Sequence, residues 1–315
     1  IQPENDDRAE PSAPPRAGRC AIVGRPNVGK STLLNALLGQ KLVIATPRPG
    51  TTRAAVLGVY VSDSPRTQIA FVDTPGLHRP KSALGKVLVE QARTGLQGAD
   101  LILFLVEAPG RHHDVQISPA DEEVLRLLSE ESAPVVVAIN KMDRLEDKRR
   151  MLPLMQLLQE RLAPAALVPI SAIKRQGLDT LLEELRKLLP EGLLYDEDVL
   201  TDRPERFFVA EFVREAAIRQ TREEVPHGVA VVIERFEQVD RHTHIAATLI
   251  VEKDSHKGIV IGKGGARLKQ IGIRAREDIE RFLERKVFLE LWVKVIPGWT
   301  GNPAEARRLV LEGGS

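Results

Sequence analysis

The run Gly24-Arg25-Pro26-Asn27-Val28-Gly29-Lys30-Ser31 is a complete G-x-x-x-x-G-K-[ST] phosphate loop, and it constrains the fold of this chain more than any other feature. Cys20-Ala21-Ile22-Val23 before it is an apolar run of strand type, and Ser31 to Leu38 after it has helical spacing ending at Gly39. Strand, loop and helix in that order let consecutive backbone N–H groups close around phosphate oxygens at the positive end of a helix. Lys30 then reaches β and γ phosphates, and Ser31, followed by Thr32, offers its hydroxyl to Mg²⁺. A glycine-rich turn with no ligand is the bland alternative, and the motifs downstream weigh against it.

The base is specified elsewhere. Ala133-Pro134-Val135-Val136-Val137-Ala138-Ile139 reads as a strand buried on both faces and delivers Asn140-Lys141-Met142-Asp143 at its carboxyl end. A carboxylate at Asp143 accepts both N–H donors on the edge of guanine, whereas adenine pairs with it poorly. An Asn-Lys-x-Asp turn also caps helices. Here, however, Val168-Pro169-Ile170 leads into Ser171-Ala172-Ile173, which matches the short motif whose backbone donors contact the guanine carbonyl in GTPases.

Two segments between these motifs read as switches. Phe71-Val72-Asp73-Thr74-Pro75-Gly76 ends a strand on a carboxylate suited to the magnesium shell, and the N–H of Gly76 is placed to sense a γ-phosphate. Gly50-Thr51-Thr52-Arg53 supplies a threonine to close over Mg²⁺; either Thr51 or Thr52 fits, and Thr52 is favoured. Metal ligands are thus expected at Ser31, Thr52 and Asp73, and catalytic contributions from Lys30, Thr52, Gly76 and Asn27. Leu77 follows Gly76 and can neither donate nor accept a hydrogen bond, so the attacking water must be positioned by other means. The amide oxygen of Asn27 is a hard ligand for a potassium ion beside the phosphates; equally, Asn27 serves only to stabilise the loop turn.

Taken together, the G-R-P-N-V-G-K-S loop, the Thr-Thr-Arg switch, D-T-P-G-L, N-K-M-D and S-A-I resemble the Era, Der and MnmE group of bacterial GTPases, and the C-terminal third selects the Era family. His256-Lys257-Gly258-Ile259-Val260-Ile261-Gly262-Lys263-Gly264-Gly265 has the apolar-G-x-x-G form of a KH domain, a loop that holds single-stranded RNA by its backbone. Candidate RNA-binding residues are Ile261, Gly262, Lys263, Gly264, Gly265, Arg267 and Lys269. Helical spacing over Phe207 to Thr221 and Leu268 to Glu284, with strands at Val229 to Phe236, Ile245 to Glu252 and Val287 to Val295, gives the order of a type II KH domain. From Lys257 to Lys286 nine Lys or Arg face four Asp or Glu, in a chain whose net charge is +1.

The expected fold is an α/β doubly wound P-loop GTPase domain followed by an α+β type II KH domain. The expected division is a disordered tail over 1–17, a GTPase domain over 18–190, a linker over 191–204, a KH domain over 205–300 and a tail over 301–315, with Glu312 to Ser315 fraying. The first residue is Ile1, which reads as a trimmed or partial N-terminus. No apolar run reaches the roughly 18 residues of a membrane span, and the single cysteine, Cys20, suits a reducing cytoplasm. The chain has no second copy of the phosphate-loop unit, which argues against Der, and no longer surrounding chain of the MnmE type. The resemblance implies GTP and GDP as ligands with Mg²⁺, binding to the 3′ end of 16S rRNA, a role in 30S subunit assembly and peripheral contact with the inner face of the membrane; K⁺ is the candidate ion at Asn27, and a monomer is expected. The rival reading is an RNA-binding or ribosome-docking protein in which GTP is mainly structural.

Overall fold

The structure, a computed structural model, describes residues 14–77, 80, 82–110, 117–196, 199–221, 225, 228–239 and 241–311. The first unit contains strands β1 (Arg16–Val23), β2 (Val56–Asp63), β3 (Arg66–Asp73), β4 (Leu101–Glu107), β5 (Val135–Asn140) and β6 (Ala166–Pro169). They form one sheet of order β2-β3-β1-β4-β5-β6, antiparallel only between β2 and β3. Helices α1 (Lys30–Leu38), α2 (Ala83–Leu96), α3 (Pro119–Leu128), α4 (Leu152–Leu162) and α5 (Leu178–Leu188) connect them. Central strands such as β4, buried from Leu101 to Val106, are apolar on both faces because helices cover both. α1 stops at Gly39, whose φ of 73° is the left-handed cap that ends a helix.

The second unit contains α6 (Glu205–Thr221), β7 (Ala230–Val239), β8 (His242–Val251), α7 (Asp254–Ile261), α8 (Ala266–Leu283), β9 (Lys286–Val295) and α9 (Pro303–Leu311). β7 pairs antiparallel with β8, and β9 lies parallel to β8 on its other side. α6 and α8 lock through Phe282, whose ring lies 5.1 Å from Phe208 and 5.4 Å from Phe212. Such aromatic pairs add about 0.5–1.5 kcal/mol each beyond the area they bury.

The two units share buried surface. Leu84, Val87 and Leu88 of α2 pack against Ala230 and Ile250 of the small sheet, Trp299, and Leu309 of α9. Arg16 and Ala17, expected in the tail, belong to β1: Arg16 Nη1 donates to Leu189 O (2.7 Å) and Ala17 N to Pro190 O (3.1 Å). The expected C-terminal tail is instead α9 as far as Leu311, capped by Asn302 Oδ1 accepting from Ala304 N (3.0 Å) and buried through Ala306, Leu309 and Val310. Those three apolar positions, at spacings of three and four, are what hold it down. Glu312 to Ser315 and residues 1–13 lie outside the described residues. Within the expected linker, Leu194 and Tyr195 are docked on β3, with the Gln68 side chain accepting from Leu194 N (3.0 Å) and donating to Tyr195 O (2.8 Å).

Candidate functional site

The expected nucleotide motifs meet at the carboxyl ends of β1, β3, β5 and β6, around one cleft of about 480 Å³. Its lining includes Pro26, Asn27, Gly29, Lys30, Ser31 and Thr32 at one end, and Asn140, Lys141, Asp143, Ala172 and Ile173 at the other. Gly24, Val28 and Asp73, from the same motifs, are buried. Gly29, at φ 109°, has to be glycine, because a Cβ there would lie 2.3 Å from Asn140 Nδ2. That closeness is functional: Asn140 Nδ2 donates to Val28 O (2.8 Å), while its Oδ1 accepts from Lys141 N (2.8 Å) and Ala172 N (3.0 Å). One side chain thus ties the phosphate loop to both base-end motifs. Ser171 Oγ donates to Asp143 Oδ1 (2.5 Å), fixing the carboxylate expected to read guanine.

At the phosphate end, Ser31 Oγ lies 2.8 Å from both Asp73 Oδ2 and Thr52 Oγ1, and Thr52 Oγ1 lies 3.3 Å from Asp73 Oδ2. Two hydroxyls and a carboxylate on one point form a hard-oxygen donor set that fits Mg²⁺. Among the described residues Asp73 Oδ1, which is buried, has no hydrogen-bond partner, as fits an oxygen that receives a cation. Burial pushes the Asp73 carboxyl up, against Lys30 and the two hydroxyls. Thr51 is turned away: its Oγ1 pairs with Thr46 Oγ1 (2.6 Å) and donates to Arg48 O (2.8 Å). Lys30 Nζ donates to Gly24 O (3.0 Å) and Arg25 O (3.2 Å), and burial brings its ammonium down to about 8, opposed by Asp73. Asn27, at φ 63°, donates from Nδ2 to Pro47 O (2.9 Å), joining the phosphate loop to the switch that follows α1. Leu77 is buried in the core.

Sequence motifs did not reveal Glu107. Its carboxylate, at the end of β4, pairs with Arg25 (2.5 Å), Lys141 (2.9 Å) and Arg144 (3.1 Å), bracing the phosphate loop against the base end. Burial raises its pKa, but Lys141 and Arg25 outweigh that and hold it below the usual range. Its only sequence signal is a charge ending an apolar strand.

In the second unit, α7 and α8 are joined by Gly262-Lys263-Gly264-Gly265, with Gly264 at φ 59° and, among the described residues, no atom within 4 Å of a Cβ built there, so backbone is open to a close ligand. Arg267 Nη1 donates to Ile259 O (2.6 Å), so it braces the loop. Beside it a cleft of about 370 Å³ runs between α8 and β9, lined by Gly265, Leu268, Lys269, Arg276 and Phe288. Ile261 ends α7, and Lys263 lies in the loop.

The family model described as 50S ribosome-binding GTPase matches residues 19–141, and that described as KH domain matches residues 224–300. GTPase Era of Xylella fastidiosa (strain M12) is 45% identical over 295 residues, covering 93% of this chain and 96% of the relative. GTPase Era of Geobacter metallireducens is 45% identical over 302 residues, covering 94% and 98%. Among solved structures, Era in complex with MgGDPNP and nucleotides 1506–1542 of 16S ribosomal RNA superposes with a TM-score of 0.88 at 44% identity, over 94% of this chain and 98% of that one. An Aquifex aeolicus Era variant bound to GDP·AlF4⁻ gives 0.87 at 44% identity, over 93% and 98%. With this identity over nearly the whole length, and a cleft and glycine loop built as described, the chain belongs to the Era GTPase family.

Proposed function

We propose that this chain hydrolyses GTP as a conformational switch, binds the 3′ end of 16S rRNA through its KH unit, and assists assembly of the 30S subunit. The observation that carries it is that one cleft gathers the phosphate loop, the Ser31–Thr52–Asp73 oxygens and the Asn140–Asp143 base reader, on a chain that also presents an open glycine loop. In this reading residues 18–190, with β1 reaching back to Arg16, form the GTPase unit, 191–204 the connection and 205–300 the KH unit. Backbone N–H groups of the loop from Asn27 to Thr32 cradle the phosphates, with Gly24, Arg25 and Pro26 shaping the turn, and Lys30 turns from Gly24 O to the β and γ oxygens. Asp143 selects guanine, with Asn140, Lys141, Ser171, Ala172 and Ile173 shaping its pocket. Ser31, Thr52 and Asp73 hold Mg²⁺, which neutralises charge developing on the phosphates. Gly76 N–H registers the γ-phosphate.

Because Leu77 is core, water has to be placed by backbone and by switch groups; Asn27, whose Nδ2 donates to Pro47 O, would offer its amide oxygen to K⁺, which would offset charge on the phosphates. Ile261 to Gly265, Arg267 and Lys269 form the RNA contact. Among the described residues no helix is long and apolar enough to cross a membrane. A monomer in the cytoplasm, with peripheral contact at the membrane's inner face, completes the reading, and vesicle sedimentation tests that contact. The buried Leu77 also favours a second reading, in which GTP is mainly structural. Phosphate release in potassium and in sodium buffer, with and without a 16S 3′-end oligonucleotide, separates the two. Potassium- and RNA-stimulated turnover supports a switch; negligible turnover in every condition supports the second reading.

A further inference from the structure

Thr52 is the residue that joins the switch to the Ser31–Asp73 oxygens, and both of its neighbours in sequence are gripped by the second unit. Arg214 of α6, only 2% exposed, donates from Nη2 to the carbonyl oxygen of Thr51. Its guanidinium is held in place by Glu211, whose Oε1 accepts from Nε (2.7 Å) and whose Oε2 accepts from Nη2 (2.6 Å). On the other side, Arg53 donates to Val229 O (2.9 Å) and its guanidinium lies 5.5 Å from the centre of the Trp299 ring. Upstream, Arg219 Nη2 donates to Ala45 O (2.7 Å). Lys41 pairs with Glu215 and, at 2.8 Å, with Asp278.

A guanidinium buried this deeply is costly unless it is paired, and surface adhesion between two units does not require one. What Arg214 adds is directional. A planar fork anchored by a bidentate carboxylate fixes where the Thr51 carbonyl sits, and so fixes the backbone that carries Thr52. Resting on the reading of Ser31, Thr52 and Asp73 as the magnesium ligands, we propose that Arg214 is a positioning residue for hydrolysis, through which docking of α6 completes the metal shell of the GTPase unit. Undocking of α6 releases the Thr51 carbonyl and loosens Thr52, while the phosphate loop and Asp143 remain as they were. Nucleotide is then retained but turned over slowly. The second unit thereby controls catalysis without touching substrate.

The test compares the full chain with Arg214→Gln, Arg214→Lys and Glu211→Gln, measuring kcat and KM for GTP, the Mg²⁺ concentration for half-maximal hydrolysis, and the Kd for GDP. Displacing a metal ligand through its backbone should lower kcat about tenfold in Arg214→Gln and raise the Mg²⁺ requirement, leaving GDP affinity within about twofold. Arg214→Lys, which keeps the charge but loses the fork, should recover part of kcat. Wild-type kcat and Mg²⁺ dependence in Arg214→Gln overturn the proposal, as does a loss of GDP affinity in parallel with kcat, which marks general damage. If Arg214→Gln does not fold, the more exposed Glu211→Gln carries the test: a lower kcat at unchanged melting temperature supports the proposal, and an unchanged kcat overturns it. Absence of hydrolysis by the wild-type chain would instead defeat the underlying reading of the site.

Discussion

At the scale of residues, specificity rests on side chains whose partners are already fixed. Asp143 is aimed by Ser171 Oγ, so Asp143→Asn changes the chemistry of the base reader more than its position. That variant should bind GTP about 1–3 kcal/mol more weakly and prefer xanthosine triphosphate, whose carbonyl meets the new amide, as competition binding will read. Equal GTP affinity removes Asp143 from the base site. A pH dependence follows at Asp278. Burial pushes its carboxyl up, but the Lys41 hydrogen bond and charge, with Arg274 and Arg281, outweigh that and hold it below the ordinary value. A carboxylate depressed in the folded state adds stability above its unfolded pKa of about 3.9, and that stability is lost as pH falls through the lower folded value. Thermal midpoints should therefore fall on acidification below about pH 4, and Asp278→Asn should flatten that slope. An unaltered slope in the variant assigns acid sensitivity elsewhere. The meeting of Lys30, Asp73 and Asn140 around one cleft was legible at this scale from the spacing of their motifs. Thr51 and Thr52 carry the same hydroxyl and either fitted, with Thr52 favoured; it is Thr52 that lies beside Ser31 and Asp73, while the turn held by Thr46 and Arg48 keeps Thr51 away from them.

Among elements, β5, covered on both faces, was readable as a continuous apolar run, and α8, with one dry face, as an amphipathic helix. α9 escaped because it is short and follows Pro297 and Gly298, which read as an ending. Its signals were present, in the Asn302-Pro303 cap and the apolar spacing of Ala306, Leu309 and Val310. β1 began earlier than its apolar run because Arg16 is held by a carbonyl after α5, a long-range partner with no local mark. The α7–α8 turn carries its own test. Lys263→Asp with Gly264→Asp places two negative charges where backbone is open, and should weaken binding of a single-stranded 16S 3′-end oligonucleotide about tenfold, roughly 1.4 kcal/mol. Hydrolysis without RNA should stay at the wild-type rate, since neither residue lines the nucleotide cleft. Wild-type RNA affinity in fluorescence anisotropy would return this basic segment to the role of a solvated surface.

For the whole molecule, no motif announces how the units meet. The contacts that join them include main-chain carbonyls of Ala45, Thr51 and Val229 capped by arginines, the Lys41 pairs with Glu215 and Asp278, and an apolar seam from α2 to Trp299, none with a sequence spacing of its own. Yet they make the segment that answers to GTP also the segment on which the KH unit rests. Linkage then requires nucleotide and RNA to influence each other by the same factor, typically fivefold or more. The measurement that decides this is the Kd for a 16S 3′-end oligonucleotide with the full chain loaded with a non-hydrolysable GTP analogue, and again with GDP. A difference of about fivefold or more, with RNA tightening analogue binding over GDP by the same factor, is the expected result. Identical RNA affinity in both states contradicts a switch, and leaves two binding units on one chain with nothing passing between them.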